Sequence, residues 1–188
     1  MYRCRMRVRA YHSKRGTMIE SLMALTVRRA AFADTAAIAE IYNEGIADRI
    51  ATFETRPRSA ADVASWFDGR HPVVVVEDDG TRIVAFAATF PYRPRDCYDG
   101  IAEFSVYVSR QVRGRGAGRV AMDGLIAAAG EARIWKLVSR VFPANKASRA
   151  LLQSVGFREV GTYEKHAKLD GQWLDVVIVE RLIRDNLD

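Results

Sequence analysis

Apolar and polar positions alternate along residues 102–109, where Phe104, Val106 and Val108 are separated by Glu103, Ser105, Tyr107 and Ser109. A period of two, rich in β-branched and aromatic residues, predicts a strand. The pattern then changes. Beyond the glycine-rich run QVRGRGAG at 111–118, apolar residues recur at Ala121, Met122, Leu125, Ile126 and Ala129, the spacing of one helix face. The middle of the chain therefore reads as strand, glycine turn and amphipathic helix.

Upstream, residues 27–31 read as a short strand, and Asp34 is placed to cap a helix whose Ile38, Ile41, Tyr42 and Ile46 share a face. Residues 50–57 are extended and stop at Pro57. Ser59 followed by Asp62 resembles a capping box, opening a helix through Trp66 and Phe67. Residues 73–77 and 82–90 flank Asp78, Asp79 and Gly80, which predicts a hairpin. A loop over 91–100 then delivers the chain to the central strand. Downstream the pattern predicts a strand over 134–142 and a short helix over 147–154, stopped by Gly156. Two last strands, 158–168 and 173–184, are joined at Asp170 and Gly171. Neither an internal repeat nor a second domain is visible.

With 188 residues, 49% apolar and 28% charged, the chain is one globular domain long enough to bury a core. It has no apolar run approaching the roughly 18–20 residues of a membrane span and no signal-peptide core, so no membrane partner and a cytoplasmic location are expected. A net charge of +6 raises the question of nucleic acid. The excess lies in Arg3, Arg5, Arg7, Arg9, Lys14 and Arg15, and the other 23 basic residues balance the 23 acidic ones. A nucleic-acid-binding fold would carry its basic patch on the folded body, so no nucleic-acid partner is expected. Residues 1–26 read as a flexible basic extension and residues 27–188 as the domain. Cys4 and Cys97 are too few for a disulfide framework, and the three histidines form no metal pattern.

The candidate chemistry begins at the turn. Gly114, Gly116 and Gly118 let the backbone approach a ligand, and a helix N-terminus offers unpaired N–H groups to an anion; a plain tight turn is the equally simple alternative. No Gly-Lys-Ser/Thr closes the run, which excludes a P-loop, and no acid follows about 20 residues on, as a dinucleotide fold requires. Arg93 and Arg95, separated by Pro94 and flanked by Tyr92 and Tyr98, either form an anion-reading cluster or sit in water. Glu103 is either a general base or a solvated strand carboxylate. His166, with no partner in the sequence, reads as a hairpin residue.

Arg113-x-x-Gly116-x-Gly118, directly behind SVYVS at 105–109, resembles the acetyl-coenzyme A signature of the GNAT N-acetyltransferase superfamily. Gln111-x-x-Gly114-x-Gly116 also fits, but the Arg113 register places the helix start where the family has it. From residue 27 to 183 the chain resembles the branch of phosphinothricin, arsinothricin and methionine-sulfone N-acetyltransferases, and within it most of all the arsinothricin enzymes. The resemblance is carried by IYNEGI at 41–46, TFETRP at 52–57, YRPR at 92–95, YDG at 98–100, EFSVYVS at 103–109, and Asn145 with Ser148.

That resemblance implies an α/β fold whose mixed sheet is flanked by helices and splayed between its fourth and fifth strands. It implies acetyl-CoA as cosubstrate, no metal, a homodimer, and direct transfer to the α-amine of a small amino-acid-like toxin. Glu103 would be the base, and Val106, Tyr107 and Val108 would lie along the thioester, with N–H groups near Tyr107 and Val108 holding its oxygen. The turn of Arg113, Gly114, Arg115, Gly116, Ala117, Gly118 and Arg119 would take the pyrophosphate, and Asn145 and Ser148 would complete the cofactor site. Phe53, Arg93, Arg95 and Tyr107 would meet the substrate, under a segment over 50–57 that lies above the site. One departure stands out: Leu152 replaces the tyrosine, or in phosphinothricin enzymes the histidine, that can protonate the leaving thiolate. Methionine sulfone, methionine sulfoximine or another L-amino acid is the alternative substrate, and a non-catalytic acyl-CoA-binding module the alternative of another class.

Overall fold

The alternation that marks residues 102–109 as a strand sends its side chains into two different cores. The computed structural model describes residues 24–187; the expected basic extension lies, up to residue 23, outside them. Among the described residues seven strands form one sheet: β1 (Leu25–Arg29), β2 (Val73–Asp78), β3 (Arg82–Pro91), β4 (Ile101–Val108), β5 (Lys136–Val141), β6 (Arg158–Leu169) and β7 (Gln172–Leu182). Their order is β1-β2-β3-β4-β5-β7-β6. The β4–β5 pair is parallel and the rest are antiparallel. The helices are α1 (Thr35–Asp48), α2 (Ala60–Ala64), α3 (Ala117–Glu131) and α4 (Lys146–Ser154).

On one face Phe104 joins Met122 and Leu125 of α3 and Leu137 of β5. On the other, Tyr107 joins Phe86, Val75 and Ile38 of α1. Phe86, Ile38, Met122 and Leu125 are fully buried, each stabilising the fold by roughly 1.5–3 kcal/mol.

Local signals mostly act as read. Ser59 Oγ accepts from the Asp62 N–H at 3.2 Å and Asp62 Oδ2 from the Ser59 N–H at 2.8 Å, completing the capping box. Both hairpin turns take left-handed backbone at both central residues, Asp79 and Gly80 in one and Asp170 and Gly171 in the other, as a tight right-twisted hairpin demands. Other boundaries shift. β1 starts at Leu25 rather than 27, the strand expected over 134–142 is confined to Lys136–Val141, and α2 stops at Ala64, short of Trp66 and Phe67. Asp34 does not cap α1. Its carboxylate accepts from the Ala31 N–H at 2.7 Å and pairs with Arg28 at 2.6 Å, while a 3-10 turn (Phe32–Asp34) leads into the helix. The Arg28 guanidinium and the Ala31 N–H, both just upstream in the chain, take the oxygens that would otherwise cap the helix.

The sheet splays where the resemblance implied. The β4–β5 ladder holds three pairs, Ile101 with Lys136, Ala102 with Leu137 and Glu103 with Val138, and then ends. β5 instead continues along β7 as far as Val141 opposite Val177. At the fork Ser139 Oγ donates to the Phe104 carbonyl at 2.8 Å, so a side chain takes the acceptor that the departing strand leaves.

The closed end of the fork is held by Gly100, whose carbonyl accepts from the Trp135 N–H at 2.7 Å. A Cβ on Gly100 would lie 1.8 Å from the Trp135 ring. Gly100→Ala is expected to displace that indole and destabilise the protein by about 1–3 kcal/mol, read in urea as a lower midpoint at unchanged slope.

Candidate active site

The edge of β4 that faces the fork follows from strand parity. The Ser109 N–H donates to the Val84 carbonyl of β3 at 2.8 Å, whereas the carbonyls of Phe104 and Val108 accept from Ser139 and Arg113 on the opposite side. Successive residues alternate direction, so the N–H groups of Val106 and Val108 point into the fork and that of Tyr107 points to β3. This corrects the expectation for Tyr107: its N–H belongs to the β3 ladder, not to the fork.

Beyond β4 the chain turns through Gly114 and Gly116, with φ of 77° and 90°, a region that favours glycine. α3 starts on Gly116 and has no acid in its first turn. The first bonds of the turn run from the Arg119 and Val120 N–H groups back to the Gly116 carbonyl, at 3.0 and 3.1 Å. The N-terminal amides of the helix thus face a cleft suited to an anion. A Cβ on Gly118 would meet Leu151 at 3.0 Å and Val108 at 3.3 Å, so glycine there keeps α3 close to α4 and β4. The cleft has a volume of about 420 Å³ and runs from this turn through the fork; Val106, Tyr107, Val108, Arg113, Gly114, Gly116, Ala117, Gly118, Arg119, Asn145 and Ser148 all line it. An acyl-CoA thioester fits this donor set: the helix start would hold its phosphates, and the N–H groups of Val106 and Val108 would meet its thioester oxygen. Among the described residues no group of three or more His, Cys, Asp or Glu is placed to hold a metal.

Several expected ligands have structural work as well. Arg113 donates from Nε to the Val108 carbonyl at 3.1 Å and pairs with Asp48 at 2.7 Å, and Arg110 pairs with the same carboxylate at 2.5 Å. Asp48 thus ties the end of α1 to the glycine turn. Arg119 faces Asp123 at 3.6 Å. Asn145 Oδ1 caps α4 by accepting from the Ser148 N–H at 3.1 Å, and its Nδ2 donates to the Ile50 carbonyl at 3.2 Å.

One face of β4 carries Glu103, Ser105 and Tyr107. Glu103 is the last β4 residue in the β5 ladder, and its carboxylate is ion-paired with the Arg140 guanidinium across the fork. Burial pushes the Tyr107 hydroxyl well above the usual tyrosine range, so it stays protonated, hydrogen-bonded with Thr52 and Tyr42. Its ring stacks on Phe86 at 5.5 Å, and a Cβ on Gly45 would lie 2.6 Å from it. The extended segment over 50–57 crosses the fork: Asn145 holds Ile50, Thr52 reaches Tyr107, and Phe53 packs edge-on against Phe142 at 4.8 Å with His166 at 6.2 Å. His166 therefore supports an aromatic contact.

Arg93 and Arg95 are not in the cleft lining. They lie on the exposed loop after β3, whose last residues, Phe90 and Pro91, stand opposite Glu103 and Ala102. Arg93 stacks over the Tyr92 ring at 5.1 Å, and neither arginine forms an ion pair among the described residues. Leu152 lines the cleft fully buried and has no proton to give. Arg140, Thr52 and Asp48 were not anticipated. Arg140 becomes visible only once β5 is laid parallel to β4, because it lies two residues past the partner of Glu103 and so shares its face.

Residues 38–157 match the acetyltransferase (GNAT) family, and the chain belongs to it. The phosphinothricin N-acetyltransferase of Alcaligenes faecalis is 32% identical over 164 residues, covering 84% of this chain and 82% of that protein. An L-methionine sulfoximine/L-methionine sulfone acetyltransferase of Pseudomonas aeruginosa is 29% identical over 162 residues, covering 84% and 94%. The crystal structure of a GNAT superfamily phosphinothricin acetyltransferase from Sinorhizobium meliloti in complex with acetyl-CoA superposes with a TM-score of 0.77 at 29% identity, covering 84% of this chain and 88% of that one. The protein is an acyltransferase that uses acetyl-CoA.

The guanidinium of Arg110, with that of Arg113, holds the Asp48 carboxyl below the usual carboxylate range. A carboxyl lowered by folding stabilises the protein above its unfolded value, near pH 4, and loses that contribution as pH falls through the folded value. Asp48→Asn is expected to raise the acetyl-CoA KM about five-fold, the equivalent of roughly 1 kcal/mol for such a partly exposed tie. The Tm gap between wild type and variant should be full at pH 7 and close as the pH drops below about 4.

Proposed function

We propose that this enzyme acetylates the α-amine of a small amino acid of the phosphinothricin, arsinothricin or methionine-sulfone kind, with Glu103 as the base. The observation that carries this reading is the place of Glu103, at the apex where β4 and β5 part, paired across the fork with Arg140, which lines the cleft. The names of the relatives supply the substrate class, and the resemblance to arsinothricin enzymes supplies the narrower choice. It extends to a homodimer that works in the cytoplasm and confers resistance to such a toxin.

An amino acid carries an ammonium group at pH 7, which cannot attack until it loses a proton. Glu103 accepts that proton and the freed lone pair becomes the nucleophile. Acetyl-CoA, when bound, would supply the thioester: its acetyl carbon would pass to nitrogen as the C–S bond breaks, CoA would leave as the thiolate, and the second proton shed by the nitrogen would reach that thiolate through solvent. The Val106 and Val108 N–H groups are positioned to hold the carbonyl oxygen as it gains charge. Arg93 and Arg95, which keep their donors free of carboxylates among the described residues, read the oxyanionic end of the side chain; Pro94 limits the ordering cost.

Glu103→Gln keeps size and hydrogen bonding but removes the basic lone pair. Turnover should fall by about 10² or more at neutral pH with acetyl-CoA affinity nearly unchanged, and should recover partly at high pH, where free amine is abundant. Thiol release over a panel of amino acids is the measurement; a variant with normal turnover removes Glu103 from this role, and CoA binding without release on any amino acid favours a non-catalytic module.

Arg93→Ala or Arg95→Ala should raise the KM of an arsinate or phosphinate substrate by about 10-fold or more while leaving the acetyl-CoA KM in place. Methionine sulfone, with a neutral side chain, should lose less. Normal KM values for every amino acid in both variants would leave the loop arginines as solvated surface.

A further inference from the structure

An oxygen of Glu103 already accepts from a guanidinium, yet the proposed base must accept from an ammonium. The conflict is resolved by the geometry of the pair itself. Glu103 and Arg140 stand on adjacent strands at the point where the sheet opens, with side chains 30% and 40% exposed, and Arg140 lines the cleft. An α-amino acid carries the complementary pair, an ammonium and a carboxylate on one carbon.

We infer that Arg140 is the receptor for the substrate α-carboxylate: the bound amino acid exchanges partners with the ion pair, its carboxylate taking Arg140 and its ammonium taking Glu103. This rests on the reading of Glu103 as base and deepens it. No net charge is created when the pair opens, because one guanidinium–carboxylate contact replaces another. Glu103 then meets the one proton it must remove. A guanidinium suits this exchange because its planar fork can hold a carboxylate with two parallel N–H groups. The same face of β4 offers no rival: Ser105 and Tyr107 follow Glu103 on it, and neither carries a charge. With the α-carboxylate on Arg140, Arg93 and Arg95 are left to the distal end of the substrate. The exchange also selects substrate class, since an amine without a neighbouring carboxylate must break the Glu103–Arg140 contact and leave Arg140 unpaired.

The test compares methionine sulfone with its decarboxylated amine, 3-(methylsulfonyl)propan-1-amine, in wild type, Arg140→Met and Arg140→Lys. Wild type is expected to favour the amino acid in kcat/KM by about 10- to 100-fold, the range of a charge-assisted hydrogen-bonded pair. Arg140→Met should bring that ratio near one, and Arg140→Lys should restore part of it. A wild-type ratio near one overturns the inference. So does an equal fall for both substrates in Arg140→Met, which is what a residue that merely orients Glu103 would give. Calorimetric titration of both compounds into the enzyme saturated with CoA needs no turnover. If the wild type acetylates neither compound but still binds the amino acid more tightly, and Arg140→Met loses that preference, the carboxylate receptor stands and the proposed transfer falls. Arg140→Lys covers the case in which Arg140→Met does not fold, because unchanged discrimination in a folded lysine variant at normal KM also overturns the inference.

Discussion

Two parallel strands that start together and then part are the constraint on which the site depends. β4 and β5 share three residue pairs and diverge after Glu103 and Val138. In an ordinary sheet the next N–H and C=O groups of β4 would be consumed by its neighbour. Here the Phe104 carbonyl is taken by the Ser139 hydroxyl and the Val108 carbonyl by Arg113, and the N–H groups of Val106 and Val108 are left facing the cleft. Backbone that would be costly to bury unpaired is thereby kept for a ligand that can accept from it.

The parting of the strands has to be held open, and different elements hold each side. On the β4 side, α1 packs so closely that a side chain at Gly45 would collide with the Tyr107 ring. The same helix ends on Asp48, which grips Arg110 and Arg113 at the turn. On the β5 side, pairing with β7 commits the strand to the other half of the sheet. The segment over 50–57 joins the two halves, through Thr52 to Tyr107, Phe53 to Phe142 and Ile50 to Asn145. Several residues that look like ligands in a sequence pattern therefore also act as struts, with Arg113 and Asn145 the clearest cases.

Charge at the site follows the same economy of partners. Glu103 and Arg140 compensate one another's charge across the fork. The loop with Arg93 and Arg95 lies beyond the Glu103 end of the sheet and keeps its guanidiniums in water, where they are available to a second anion.

The sequence by itself determined the local elements and the family. Period-two alternation marked the strands, paired left-handed residues at Asp79 with Gly80 and Asp170 with Gly171 marked the turns, and Gly114, Gly116 and Gly118 marked the ligand loop, because each of these depends on neighbours in the chain. Tertiary structure decided what depends on pairing between distant segments. That Glu103 meets Arg140, and that Val106 and Val108 rather than Tyr107 offer their N–H groups, follow from which strand lies beside which, and in what register. The alternation over residues 103–109 separates the two faces of β4, but which residue of β5 stands beside Glu103 is recorded in neither segment alone.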